Sequence, residues 1–156
     1  PVDRNGKVIS KRTIGDIYSS VLSTGDSICS VSALIKKSVF DYLGGYDETL
    51  DYEDLDSWIR ASREFEFDFI DDVLVKKRTV NNSLGTKFYT KNHKINISTY
   101  KILLKALKLN RSKAEDLALQ KRVHYEIIHS FKNQSLNLFL KNIGLRIAIS
   151  WRKKFK

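Results

Sequence analysis

The residues best suited to chemistry lie in an acidic stretch, GGYDETLDYEDLDSWIRA, which covers residues 44–61. Six Asp and Glu side chains fall within the ten residues 47–56. Carboxylates this close together can bind a cation, cap a helix or accept a proton from a substrate. The spacing excludes an EF-hand calcium loop, because the sixth residue from Asp47 is Tyr52 and not the required glycine. The simplest alternative is a solvated acidic surface next to a helix start.

Asp54 is the member of this stretch with the strongest case for a chemical role. A helix is predicted from Asp51, which can cap it, with Glu53 and Asp54 in the first turn, where the helix dipole favours negative charge. The inward stripe of this helix is predicted to consist of Leu55, Trp58, Ile59 and Ser62. We expect the Asp54 carboxylate at the rim of that stripe, where burial and neighbouring carboxylates oppose the dipole. A carboxylate balanced in this way can act as a base at neutral pH.

The flanking segments predict short helices alternating with strands. A helix is indicated near 37–43 and should end at Gly44 and Gly45, since glycine readily adopts the left-handed conformation. Another modest helix is indicated between residue 14 and Gly25. Strands are predicted for SICSVSALI (27–35), FEFDFI (65–70) and VLVKKR (73–78). Asp56 and Arg60 are expected to form an i, i+4 pair on the solvated side of the acidic helix.

The charge of the chain is divided unevenly. Residues 1–90 hold 12 Lys and Arg against 15 Asp and Glu, a net charge of −3, whereas residues 91–156 hold 16 against 3, a net charge of +13. Long helices are predicted for 94–109, 112–132 and 135–153, with no Pro- or Gly-rich linker before them. We therefore expect residues 91–156 to be a basic helical extension that packs on residues 1–90.

The sequence does not decide what the basic extension binds. Leu136, Phe139, Leu140, Ile143 and Ile147 form a helical stripe, followed by WRKKFK at residues 151–156. Such a segment can lie on an anionic bilayer with Trp151 among the headgroups. It can equally be a terminal helix that packs on the body of the protein with a solvated basic end. Nucleic acid is a weaker alternative, because no recognised binding module is present.

The remaining composition limits other classes of site. Cys29 is the single cysteine, so an internal disulfide is excluded and a buried structural thiol is expected. His93, His124 and His129 lack metal-ligand spacing and receive no role. No run of eighteen apolar residues exists, and the first residues lack the apolar core of a signal peptide. The absence of Met suggests a piece of a longer protein.

Three ordered motifs resemble a known enzyme family. The first is SALIKKSVFDYLGGYDE at 32–48, the second is EDLDSWIR at 53–60, and the third is KRTVNNS at 77–83. Their order and spacing are similar to the C-terminal half of family 2 glycosyltransferases of the GT-A fold. That family has a serine-bearing strand, a GGFDE turn, an ED.DLWLR helix and a YR.H..S segment. The resemblance implies an α/β fold, with residues 1–90 as the acceptor-side half of a GT-A domain.

The resemblance also implies an activity and a set of site residues. The activity is inverting transfer of a sugar from a nucleotide-sugar donor to the hydroxyl of a glycan or lipid-linked acceptor. Asp54 takes the place of the general base, with Glu53 beside it to orient the acceptor. The residues implied in substrate binding are Gly44, Gly45, Asp47, Trp58 and Arg78. Alternatively, the two glycines form only a helix cap and turn, Trp58 belongs to the core, and Arg60 is structural.

Other implications concern what these 156 residues lack. The family binds its nucleotide and a divalent metal, Mg or Mn, through a DxD motif on a preceding half, and no such motif comes before the GGxDE element here. Lys77 and Val80 also replace the tyrosine and histidine of the third motif. We therefore expect no turnover by this chain alone. We also expect copies of the chain to pair through an open sheet edge. The expected location is cytoplasmic, peripheral to the membrane, as suits surface polysaccharide synthesis.

Overall fold

A computed structural model of the chain describes residues 17–25, 28–68, 70, 72–76 and 90–152. About 70% of these residues are helical, and none of them lies in a β-strand. The α/β class with a partial GT-A sheet is therefore wrong for the described part of the chain, which has an all-α fold. The open sheet edge on which the pairing of copies rested is likewise missing there, and the oligomeric state stays a prediction.

Six α-helices make up most of the described structure. They are α1 (Ile17–Thr24), α2 (Lys37–Leu43), α3 (Glu53–Glu64), α4 (Lys94–Leu109), α5 (Lys113–Lys132) and α6 (Leu136–Arg152), with a short 3-10 turn at Ser30–Ser32. The helices predicted for 94–109, 112–132 and 135–153 are confirmed to within one residue at each end. The predicted helices before Gly25 and before the Gly44–Gly45 pair are confirmed as well.

The described residues of the segments predicted as strands have no regular structure apart from the 3-10 turn. Their alternating apolar residues favour a strand only where a second strand accepts the backbone hydrogen bonds. No described residue supplies such a partner. Ile70, Val73 and Leu74 are accordingly left 70%, 59% and 68% exposed. Phe67 instead turns towards the helices, with its ring edge against Trp58 at 6.3 Å between centroids.

The core lies between the C-terminal helices and two helices of the acidic part. A three-residue connection places α5 and α6 side by side, α1 packs on α5 and α3, and α4 packs on α3, α5 and α6. The deeply buried apolar side chains of the core include Leu22, Leu55, Ile102, Leu103, Ala106, Leu119, Val123 and Ile149. Helices on both sides of residue 90 therefore share one core, while the division into domains at that point stays a prediction.

Polar contacts fix α1 to the rest of the core. The buried Tyr18 hydroxyl donates to Asn110 Oδ1 at 2.8 Å, just beyond the end of α4. The guanidinium of Arg63 lies 3.5 Å from the centre of the Tyr18 ring and also donates to Glu115 at 3.0 Å. Glu115 and Ser112 in turn form a capping box at the start of α5. One cation thus connects α1, α3 and α5.

The end of α1 is shaped around a buried arginine. Arg122 of α5 donates to the Thr24 carbonyl oxygen at 2.5 Å and to Glu126 at 2.9 Å. The next residue, Gly25, has a φ of 71°, in the left-handed region. A Cβ built on Gly25 would lie 2.1 Å from Arg122 Nη1. Only glycine therefore meets both the backbone and the packing requirement at this position.

Candidate functional site

The glycine turn that follows α2 is held in place by an arginine of α3. Gly44 and Gly45 have φ values of 72° and 78°, and the Gly45 N–H donates to the Phe40 carbonyl oxygen at 2.9 Å. The predicted helix cap by this pair is confirmed. Arg60 donates to the carbonyl oxygens of Leu43 at 2.6 Å and of Gly45 at 2.9 Å. The turn and α3 therefore form one unit.

Asp56 anchors that unit from inside the protein. Its carboxylate accepts from Arg60 Nε at 2.8 Å and from Lys105 Nζ, of α4, at 3.0 Å. The i, i+4 pair of Asp56 and Arg60 is confirmed, but its placement on the solvated side is wrong, because Asp56 is only 1% exposed. The physical reason is Lys105, a second cation that makes burial of the carboxylate tolerable.

Asp47 lies at the same cation and shapes the approach to α3. Its Oδ2 accepts from Lys105 Nζ at 2.5 Å, and its Oδ1 accepts from the Thr49 backbone N–H at 3.0 Å and the Thr49 hydroxyl at 2.6 Å. The hydrogen bond from Lys105, and then those from Thr49, hold the pKa of Asp47 well below its usual range. Both oxygens of the Asp47 carboxylate accept hydrogen bonds within the chain, which indicates a structural role.

Glu53 and Asp54 open α3, and both are half-buried. The residue before the helix is Tyr52, whose side chain makes no capping hydrogen bond, so the predicted cap by Asp51 is wrong. Asp51 instead donates its backbone N–H to the Ser98 hydroxyl of α4 at 2.9 Å. This bond fixes the entry into α3 from outside the acidic stretch.

Asp54 differs from Asp47 and Asp56 of the acidic stretch. Its Oδ1 accepts from the Leu55 backbone N–H at 2.8 Å, and it forms no ion pair with any residue that the structure describes. Asp47 and Asp56, in contrast, both bind Lys105. Glu53 and Asp54 are therefore the half-buried carboxylates of this region that keep an oxygen for an external donor.

Tyr46 is a neighbour of the two carboxylates that the sequence did not indicate. Burial, and then the charges of Asp54 and Glu53, raise the pKa of the Tyr46 phenol. Its ring meets Phe40 edge-on at 5.0 Å between centroids, and 39% of the residue is exposed. The glycine turn thus places a phenol next to the start of α3. The GGYDE motif contains this tyrosine, but residue spacing alone does not show which way its ring points.

The structure connects some of the residues predicted for the site. Arg60 links the glycine turn to α3, and Lys105 links Asp47 to Asp56, whereas Glu53 and Asp54 approach this group only through the charges that they exert on Tyr46. Trp58 lies apart from them in the core, 5% exposed, as the alternative assignment expected. Arg78 lies outside the described residues. Cys29, predicted to be buried, is only partly so.

The described part of the chain contains no cluster of side chains suited to bind a divalent metal. No group of three or more His, Cys, Asp or Glu side chains is placed there to hold one. We accordingly assign no step to a metal, and the Mg or Mn of the family stays a prediction. His93 accepts the Ile95 backbone N–H at the start of α4, a structural use.

The comparisons with known proteins returned no matches. No family model, no curated protein and no solved structure matches the chain. The likeness to family 2 glycosyltransferases therefore depends on the three sequence motifs. What the geometry adds is two half-buried carboxylates, Glu53 and Asp54, whose charges act on Tyr46 directly after the glycine turn. Such a carboxylate can accept a proton from a bound hydroxyl.

Proposed function

We propose that this chain supplies the acceptor-side residues of an inverting glycosyltransferase. The observation that carries the proposal is Asp54, a half-buried carboxylate without an ion pair to any described residue, whose charge acts on Tyr46, the residue after the Gly44–Gly45 turn. The motifs imply a general base at this position. Arg60, on the same helix as Asp54, holds the turn through the Gly45 carbonyl oxygen.

The chemistry requires a base of this kind. A sugar hydroxyl is a poor nucleophile until a carboxylate at about 3 Å takes its proton while the bond from C1 to the phosphate lengthens. Such help is worth about a hundred- to ten-thousandfold in rate. Glu53, in the same first turn, would accept a second hydrogen bond from the acceptor and orient it. Gly44 and Gly45 lack side chains, so a sugar can approach their backbone closely.

Other parts of the enzyme must come from outside this set of residues. Binding of the donor diphosphate requires cations or a metal that the described residues near Asp54 do not provide. We propose that a nucleotide-binding segment completes the site, and that without it the chain transfers no sugar. Cytoplasmic nucleotide sugars would be the donors, and a glycan or a lipid-linked sugar of surface polysaccharide synthesis the acceptor.

Asp54→Asn tests the base in a longer chain that joins these residues to their nucleotide-binding segment. Release of nucleoside diphosphate is measured with a panel of UDP-, GDP- and dTDP-sugars. We expect kcat to fall by about a hundred- to ten-thousandfold, with Asp41→Asn, an exposed carboxylate on α2, as the matched control. Full activity of Asp54→Asn would refute the assignment. Steady acceptor-dependent release by the 156 residues alone would refute the need for a second segment.

A further inference from the structure

The last helix has two opposite apolar faces, and only one of them is used in the core. The inner face, with Leu138, Leu145 and Ile149, packs against α4 and α5 and is at most 6% exposed. The outer face keeps four large apolar side chains between 52% and 68% exposed, namely Leu136, Leu140, Ile147 and Trp151. These four recur at helical spacing, so they form one continuous stripe. The stripe predicted from the sequence is therefore this outer face.

The neighbouring helix extends the outer face sideways. A groove of about 410 Å³ runs between α5 and α6, lined by four apolar side chains and by His124, Arg146 and Ser150. Its walls include Ile127, Ile143, Ile147 and Trp151. Phe131, 69% exposed, continues the surface and contacts Phe139 at 5.6 Å between ring centroids. A solvent-facing apolar surface of this extent marks a site of association.

The charges around this surface have a single sign. Residues 91–156 contain three Asp or Glu side chains, and each is bound to a residue away from this surface. Glu115 pairs with Arg63, Asp116 is 1% exposed and accepts from Asn110, and Glu126 pairs with Arg122. Lys121 and Lys132 lie exposed along α5, and Arg146 lies exposed at the groove, where it contacts His124. None of these three cations has an ion pair within the described ranges.

We propose that this outer face of α5 and α6 docks in the plane of an anionic lipid bilayer. The apolar stripe would enter the acyl boundary, with Trp151 at the headgroup level and the lysines against lipid phosphates. Among the described residues, no helix has the length and apolar character needed to span a bilayer. The proposal does not depend on the sugar-transfer activity.

Charge and polarity separate this partner from two others. A second copy of the chain would bring Lys121, Lys132 and Arg146 against the same three cations, and like charges oppose such an interface. Nucleic acid would satisfy the cations, but its phosphate backbone offers nothing to the apolar stripe between them. An anionic bilayer satisfies both parts of the surface.

The test is co-sedimentation with vesicles of phosphatidylcholine alone or mixed with an equal part of phosphatidylserine. We expect binding to the mixed vesicles only, weakened by high salt. Ile147→Glu should weaken binding by about tenfold or more, because it places a charge in the stripe. Leu34→Glu, the same type of change at a side chain exposed elsewhere, should leave binding unchanged. The emission of Trp151 should shift to the blue, while Trp58 is buried with or without lipid.

A second pair of variants separates the docking face from overall charge. Lys121→Glu with Lys132→Glu changes the net charge as much as Lys94→Glu with Lys101→Glu on α4. We expect only the first pair to abolish binding, while circular dichroism shows the same helix content for both. Equal losses from both pairs would refute a defined face. So would no binding to the mixed vesicles, dimers that Ile147→Glu disrupts in place of lipid binding, or displacement of the lipid by duplex DNA.

Discussion

Arg60 donates a hydrogen bond to the Gly45 carbonyl oxygen at 2.9 Å, across fifteen residues of sequence. This contact makes the position of the glycine turn depend on α3. The other two guanidinium nitrogens of Arg60 donate to the Leu43 carbonyl oxygen and to the buried Asp56. Arg60 thus places the turn and the first residues of α3 relative to each other.

Arg60→Ala should be one of the most damaging single substitutions in the acidic part of the chain. It removes one of the two cations that balance Asp56, and breaking such a buried pair costs about 3–5 kcal/mol. Because Lys105 remains, we expect a loss in the lower part of that range, measured as the free energy of unfolding in urea. Lys37→Ala breaks an exposed i, i+4 pair with Asp41 and should cost less than about 1 kcal/mol. Similar losses from both would show that Arg60 is not an anchor.

Asp54 and Asp56 should separate stability from catalysis. Asp56→Asn leaves Arg60 and Lys105 without their buried carboxylate and should lower the unfolding free energy by about 2–4 kcal/mol. Asp54→Asn removes only a favourable charge at a helix start, worth less than about 1 kcal/mol. Thermal denaturation followed by circular dichroism compares the two. A large loss of stability in Asp54→Asn would assign that residue to the fold.

Tyr46 reports the charge of Asp54 directly. Burial, and then the charges of Asp54 and Glu53, raise the pKa of the phenol by disfavouring the phenolate, so Asp54→Asn should lower that pKa in part. The measurement is a pH titration of the Tyr46 ring carbon by NMR, assigned with Tyr46→Phe. Glu48→Gln, in the turn before α3, is the matched control and should leave the titration in place. An unchanged Tyr46 pKa in Asp54→Asn would place the two side chains apart.

Acid should destabilise the protein through Asp47. Its pKa in the folded state lies below the ordinary value of 3.8, so the unfolded chain takes up the proton first as the pH falls. The stability that Asp47 contributes is therefore full above that ordinary value and is lost on further acidification. Asp47→Asn should flatten the fall of the unfolding free energy below about pH 4, and Glu48→Gln should not. The same slope in all three proteins would exclude Asp47 as the cause.

Two glycines should respond in opposite directions to the same change. Gly25→Ala is strained by its positive φ and brings a Cβ against Arg122, so we expect a loss of at least about 1–3 kcal/mol. Gly144→Ala, inside α6, meets no atom within 4 Å and should gain about 0.5–1 kcal/mol from helix propensity. Urea unfolding of both variants tests this. A stable Gly25→Ala would show that Arg122 moves away without loss.

The sequence predicted those parts of the fold that depend on local signals. The glycine pair ends α2, the apolar spacing of Leu55, Trp58 and Ile59 buries one face of α3, and the last three helices have the predicted lengths. Each of these follows from backbone conformation or helical periodicity within a few residues. They require no knowledge of distant partners.

The predictions that failed depend on distant partners. The alternation in FEFDFI favours a strand, but a strand needs a neighbour and the described residues offer none. The burial of Asp56 follows from Lys105, which lies 49 residues away in the chain. The outer stripe of α6 is apolar in sequence just as its inner face is, so periodicity alone does not distinguish the packed face from the exposed one.

The polar contacts of α1 also limit the order in which the chain can fold during synthesis. Tyr18 bonds to Asn110, 92 residues later, and Thr24 bonds to Arg122, 98 residues later, so neither contact forms before those residues are made. At ribosomal rates of about 5–20 residues per second, α1 is made roughly 5–20 s before these partners. Val21 and Leu22 therefore lack their packing against α5 until α5 has been made, so docking of α1 on α5 follows that step.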